Sequence, residues 1–199
     1  MEKKLLLILI ITIFIVNVCN CQRKDLWKEN YIHFLLESQQ ISEIPVAEKN
    51  FSVYDFDENG IPEIIIHVIG QCEEDKVIII GYENNKIQTV YAEESSYIDT
   101  YYDIDTNELV IYHPNSQGNP VIKYRYTKGQ FKTSFHVYAS DKYMVTEYKE
   151  NGEIDTYSMN NEYNDTLEIV ADSCKEFKYY ELTQENVKNV INSYVHKEE

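Results

Sequence analysis

Basic residues are scarce in this sequence. Its 18 Lys and Arg stand against 34 Asp and Glu, a formal net charge of −16. Nucleic-acid binding relies on Lys and Arg neutralising phosphates, so the balance argues against it, and against adhesion to anionic lipid as well. The acidity reads as solubility, or as affinity for cations or a basic partner. Catalytic signatures are missing too: there is no G-x-S-x-G elbow, no H-E-x-x-H, no Gly-rich phosphate loop and no P-loop. His33, His67, His113, His136 and His196 are scattered. His67 sits in an apolar run and reads as a hydrogen-bonded core histidine rather than a ligand, while His113 opens a polar loop with Pro114. Carboxylate pairs abound in so acidic a chain, so naming two of them as acid and base would be arbitrary. The sequence leans away from an enzyme.

The chain also lacks an apolar run of the ~20 residues that a spanning helix needs. Residues 5–18 are apolar except for Thr12 and Asn17, and they follow Glu2, Lys3 and Lys4. That is the charged start and apolar stretch of a secretory signal. The expected division is a signal over residues 1–21 and one extracytoplasmic α+β domain over residues 22–199. Cys19 and Cys21 stand where a bacterial lipoprotein carries its acylated cysteine, although Val18 and Asn20 precede them instead of a small residue. Ordinary cleavage after Cys21 is the alternative. A membrane would then be reached only through such a lipid or through an uncleaved signal. Cys72 and Cys174 are the thiols that remain; export permits a Cys72–Cys174 disulfide, and two buried free thiols are the other reading. Neither lies in a C-x-x-C pair, so no zinc or redox motif is present.

What is abundant is tyrosine, with 18 copies against one Trp and 7 Phe. Aromatic and β-branched residues favour strands. Residues 25–39 predict a helix, with Trp27, Tyr31, Phe34 and Leu35 on one stripe. From Phe51 the period shortens. Residues 64–69 and 77–82 run nearly all apolar, as strands buried on both faces do. Further strands are predicted at 87–91, 97–102, 109–113, 121–127, 131–138, 143–149 and 153–157. Lys128-Gly129 and Asn151-Gly152 are hairpin signals. Phe131, Thr133, Phe135 and Val137 alternate with polar residues and predict one buried face. Lys123, Arg125, Lys128 and Lys132 form a basic island that cross-strand pairing with acids would absorb. Tyr163, Leu167, Val170, Cys174 and Phe177 step by four, three, four and three, which predicts a helix. Thr183 caps another that carries Val187, Val190, Ile191, Tyr194 and Val195. The fold class is therefore α+β: an N-terminal helix, an antiparallel meander and two C-terminal helices that cover one face or one end of the sheet.

Residues 55–63, Asp-Phe-Asp-Glu-Asn-Gly-Ile-Pro-Glu, carry the chemistry. Asp55, Asp57, Asn59 and Glu63 place side-chain oxygens at positions 1, 3, 5 and 9. Gly60 allows the sharp turn at position 6, and Ile61 can offer its carbonyl at position 7. Calcium takes six to eight oxygen ligands, and this spacing curls them around one point. The other reading is a solvated turn, since Asp, Asn and Gly are common in turns. Position 12, where an EF-hand has its bidentate Glu, is Ile66, and the flanks read as strands. A strand–loop–strand setting resembles the D-x-D-x-D-G-x-x-D loops of integrin-type β-propellers, with Asn59 and Glu63 replacing two of their aspartates. It resembles more closely a family of bacterial secreted or lipid-anchored proteins in which a helix precedes such a strand and loop and a Tyr-rich meander follows. That resemblance implies the architecture and a structural calcium, not an activity. Binding on the order of 10⁻⁴–10⁻³ M is expected for a site of this kind. The turn at residues 103–108 mimics positions 1, 3 and 5 but has Glu108 where the glycine belongs, and it reads as a plain turn.

These expectations converge on an exported or surface-anchored, non-enzymatic module with one calcium-type loop, which binds a protein or glycan through Tyr-rich strands. A secreted hydrolase with an unrecognised site and a purely structural envelope protein are the alternatives.

Overall fold

The computed structural model describes residues 26–38, 41, 48–70, 74–114, 116–159 and 165–195. The expected signal over residues 1–21, with Cys19 and Cys21, lies outside these, and so does Cys72 with any pairing it makes. Cys174 is half-buried with its thiol free. Among the described residues no helix is long and apolar enough to cross a membrane.

The protein is mostly β. Helix α1 (Leu26–Glu37) buries Trp27, Tyr31 and Leu35 at every fourth position. Strands β1 (Glu48–Tyr54), β2 (Glu63–Ile69), β3 (Asp75–Glu83) and β4 (Lys86–Ser95) follow as antiparallel neighbours. Next come β5 (Asp99–Asp103), β6 (Glu108–Tyr112), β7 (Val121–Thr127), β8 (Gln130–Ala139), β9 (Tyr143–Tyr148) and β10 (Ile154–Met159), again a meander. Two short strands, β11 (Cys174–Glu176) and β12 (Tyr180–Glu181), precede helix α2 (Gln184–Ser193). The meander forms two sheets rather than one. Their orders are β12-β1-β2-β3-β4 and β10-β9-β8-β7-β6-β5-β11.

The layering follows from the period of two. On β2, Ile64, Ile66 and Val68 join Trp27, Tyr31, Leu35, Val187 and Ile191 under the helices. Ile65 points the other way and meets Val77, Ile79, Leu109 and Ile111 between the sheets. Both faces of β2 are therefore covered, which explains its unbroken apolar run. A third cluster, with Val110, Val121, Val137, Val145 and Val170, lies on the far face of the second sheet. Turn chemistry matches the tight hairpins: Asn84 and Asn85 join β3 to β4, and Lys128 and Gly129 join β7 to β8, all four at positive φ.

Two expectations are corrected. The apolar stripe on residues 163–177 is not a helix. Leu167–Ile169 is one 3-10 turn, and Cys174-Lys175-Glu176 pairs with Asp103-Tyr102-Tyr101 as β11. Tyr163 lies outside the described residues. Asp165 competes with helix here, because its carboxylate accepts the Leu167 N–H at 3.0 Å and the Tyr112 hydroxyl at 2.7 Å. The stripe is also divided: Val170 packs in the third cluster and Phe177 in the second. One C-terminal α-helix remains, capped as expected by Thr183, whose hydroxyl accepts the Asn186 N–H at 3.2 Å. On β8 a bulge breaks the alternation. Lys123 faces Phe135 and Tyr124 faces Thr133, which leaves Ser134 opposite no residue. Phe131 consequently packs between the sheets, while Phe135 and Val137 pack on the far face.

Candidate metal centre

The loop at residues 55–62 joins β1 to β2, and Tyr54 and Glu63 form the last pair of their ladder. Strands flank it on both sides. Within it, short polar side chains satisfy the backbone. The Asp55 carboxylate accepts the N–H groups of Gly60 at 2.8 Å and Asn59 at 3.1 Å. Asp57 accepts the Asn59 side-chain NH2 at 2.9 Å, and the Asn59 oxygen accepts the Ile61 N–H at 2.7 Å. Gly60 has φ 89°, the left-handed turn that its position requires.

Three carboxylates converge: one oxygen each from Asp55, Asp57 and Glu63 lie within 4.8 Å of one another. Asp57 is exposed, Asp55 is half-buried, and Glu63 is only 2% exposed. Burial pushes the Glu63 carboxyl up to about 8; the Phe56 N–H, which it accepts at 3.0 Å, opposes this, and the charges of Asp57 and Asp55 add to it. Asp55 is raised for the same reasons, against the Gly60 N–H. No family model matches the chain, and no curated protein matches it. The assignment of this centre therefore rests on its own chemistry.

The rest of the protein reaches into the loop from both layers. From α1, the buried Tyr31 hydroxyl donates to the Pro62 carbonyl at 2.9 Å. From the β5–β6 turn, Asn107 donates to the carbonyl of Phe56 at 2.8 Å and of Asp55 at 3.3 Å, and it accepts the Tyr54 hydroxyl at 2.6 Å. Phe56 is buried, with its ring centroid 5.0 Å from that of Phe131 on β8. Gly81 on β3 keeps space open beside Glu63: a Cβ there would lie 3.1 Å from the Tyr126 hydroxyl and 3.8 Å from the Glu63 carboxylate. Burial raises the Tyr126 phenol, and the Glu63 charge raises it further.

The acidic turn at residues 103–108 is a hairpin turn whose two buried acids, Asp103 and Glu108, have protein cations. Asp103 pairs with Lys123 and accepts the Ser173 hydroxyl at 2.9 Å. Glu108 accepts Arg125 Nε at 2.8 Å and the Ser134 hydroxyl at 2.8 Å. Two members of the basic island are thereby accounted for. Among the described residues no Lys, Arg or His forms an ion pair with Glu63.

A donor set of three carboxylates fits a hard divalent cation. Asn59 and Ile61 are placed less directly: the Asn59 oxygen accepts the Ile61 N–H at 2.7 Å. Sequence reasoning missed Tyr31, Gly81, Asn107 and Tyr126, none of which belongs to a local motif.

The histidines differ from expectation. His67 is half-buried, and its Nε2 has no hydrogen-bond partner among the described residues; it packs 5.7 Å from the Tyr179 ring, and burial lowers its pKa. His113 is buried, and its Nε2 contacts Glu93 on β4 at 3.1 Å, joining the two sheets.

Proposed function

We propose that the protein is an exported, non-enzymatic binding module whose 55–63 loop holds one structural calcium ion. The observation that carries the metal is the buried Glu63, which has an oxygen within 4.8 Å of two further carboxylates and has no protein cation among the described residues. An isolated buried carboxylate is costly. The neighbouring hairpin offsets the same cost with Lys123 and Arg125; here the countercharge would come from solution. Asp55, Asp57 and Glu63 would hold the ion, with Asn59 and the Ile61 carbonyl as the supplementary ligands that the spacing suggests. The ion supplies positive charge, and the chain's own residues do the rest: Tyr31 and Asn107 fix the loop backbone, and Phe56 anchors it between the sheets.

Export is supported by residues 1–21. The binding role is supported by aromatic residues left on the surface. Tyr97, Tyr138, Tyr148 and Tyr157 are exposed, three of them on strands β8, β9 and β10. Rigid amphipathic rings of this kind are favoured at interfaces.

The decisive experiment compares thermal unfolding in millimolar calcium, in magnesium and in chelator. Calcium is expected to raise the midpoint and Asp57→Ala to abolish that rise. A midpoint indifferent to calcium overturns the reading of the loop.

A further inference from the structure

We infer that the step at which strand β4 ends the first sheet, above β8, β9 and β10, is a docking site for an extended segment of a partner protein in which apolar and basic residues alternate. The inference deepens the binding-module reading and rests on it, because it names the kind of partner that such a module would take.

The step follows from the unequal size of the two sheets. The first ends at β4, whereas the second continues through β8 and β9 to β10. β4 lies over β7 and the near side of β8. Its Tyr91 ring is 5.0 Å from Tyr124 on β7 and 6.0 Å from Phe131 on β8, and its Glu93 contacts His113 at 3.1 Å. Neighbouring strands lie about 4.8 Å apart and stacked sheets about 10 Å. The described residues therefore leave room for one further strand beside β4, over β8 and β9. Cavities of about 340 Å³ against α1 and about 210 Å³ beside β1 share no residue with this surface.

The floor of the step is one face by register. Tyr138 pairs with Met144, and Met144 with Ser158; His136, Thr146 and Thr156 form the next row, and Tyr148 with Ile154 the third. His136 also pairs with Ile122, and Ile122 with Ile111, which packs between the sheets. This is therefore the face turned towards the first sheet. Tyr138, Tyr148 and Ile154 are exposed on it, Ile154 by 60%. Tyr157 is exposed too, but it pairs with Val145 of the third cluster and lies on the opposite face.

The wall of the step is the outer edge of β4, with which no strand pairs among the described residues. Tyr91 pairs with Ile79 and Thr89 with Ile80, so Val90 between them is a bulge. Bulges guard a sheet edge, and unguarded edges are templates for another strand. The open part is thus residues 91–95. Tyr91 and Glu93 pair with Ile79 and Val77 and face inward, which turns Ala92 and Glu94 outward.

Charge selects the occupant. The floor has no Asp, Glu, Lys or Arg, in a chain of net charge −16, and burial lowers the His136 pKa, which favours its neutral form. Residues 91–95 add Glu93 and Glu94 and no base. A strand laid in the step turns alternate residues down onto Tyr138, Met144, Tyr148 and Ile154, and the others outward beside Glu94, where cross-strand pairing favours Lys or Arg. The negative field of the whole chain draws the same partner. A second copy would instead bring its own −16 to the surface. A glycan would use the rings but not the peptide-spaced donors and acceptors of the β4 edge, which give a strand its affinity in this mode of recognition.

The test is NMR titration of the full chain with a short capped peptide of alternating valine and lysine. Signals of residues 91–95 are expected to shift together with those of Tyr138, Met144, Tyr148 and Ile154. Ile154→Lys should weaken binding about tenfold, by removing apolar contact and adding a like charge. Tyr157→Lys, on the other face of the same strand, should bind as the parent does. Methylating every backbone nitrogen of the peptide keeps its charge but removes its donors, and should abolish binding. The proposal is overturned if the valine–lysine peptide leaves these signals unmoved at millimolar concentration, if the methylated peptide binds equally well, or if Tyr157→Lys weakens binding as much as Ile154→Lys does. Cello-oligosaccharides moving the same signals would make the floor a glycan surface, and movement on dilution of the protein alone a self-association surface; either result overturns it as well. The midpoint rise with calcium, scored on the same samples, keeps failure of the metal reading separate from failure of the docking site.

Discussion

Glu63 and Glu108 each begin the second strand of a hairpin, each is nearly fully buried, and they differ in what neutralises them. Glu108 has Arg125 and Ser134, while Glu63 has two further acids beside it. Asp57 is exposed and belongs to the centre without packing in the core. Asp57→Ala should therefore leave the midpoint in chelator nearly unchanged and remove the response to calcium, as differential scanning calorimetry would record. The Asp103–Lys123 pair makes a prediction about pH. Burial disfavours the Asp103 charge, but the Lys123 ammonium, the Ser173 hydroxyl and the Asp105 N–H outweigh it and hold its pKa below the usual value. A depressed folded pKa gives stability that is fully present above the unfolded value, about 3.9, and is lost as pH falls through the folded one. Lys123→Met leaves Asp103 buried without its partner and should cost about 3–5 kcal/mol at neutral pH. It should also move the acid-unfolding midpoint upward. An acid limb identical to the parent's would refute this account.

At the level of elements, the β5–β6 turn braces the β1–β2 loop through a single side chain. Asn107→Ala removes the donor to two carbonyls and the acceptor for the Tyr54 hydroxyl. Denaturant unfolding should show a loss of about 1–3 kcal/mol, the usual cost of stranding buried polar groups. Calcium should still raise the variant's midpoint, because the carboxylates are untouched. The cap of α2 is a separate, local matter: Thr183→Ala should cost about 1 kcal/mol, with no change in calcium response. The elements also show where sequence patterns are decisive and where they mislead. The run from Ile64 to Ile69 is legible because burial on both faces leaves no polar alternation. The run from Phe131 to Val137 obeys alternation only on each side of Ser134, and a bulge has no reliable signature in one sequence. The spacing from Leu167 to Phe177 mimics a helix because its apolar residues serve two different clusters. Nothing in the local sequence shows that the edge of β5 takes up residues 174–176.

In the whole molecule the loop at residues 55–62 touches every layer: α1 through Tyr31, the first sheet through its own strands, and the second through Asn107 and Phe131. Hydrogen exchange in calcium should therefore slow at the β5–β6 turn as well as in the loop itself. Protection confined to residues 55–63 would show that the contacts with the second sheet carry no coupling. The convergence of Asp55, Asp57 and Glu63 was readable because the three acids are close in sequence. The alternating strands and the capped last helix were readable because period and capping are local properties of the chain. What only the tertiary structure decided is the division of the meander into two sheets, the crossing over residues 177–179 that opens the cavity beside β1, and the lack of a cation beside Glu63 among the described residues. Each depends on which distant residues approach across the fold, and such encounters leave no trace in local spacing.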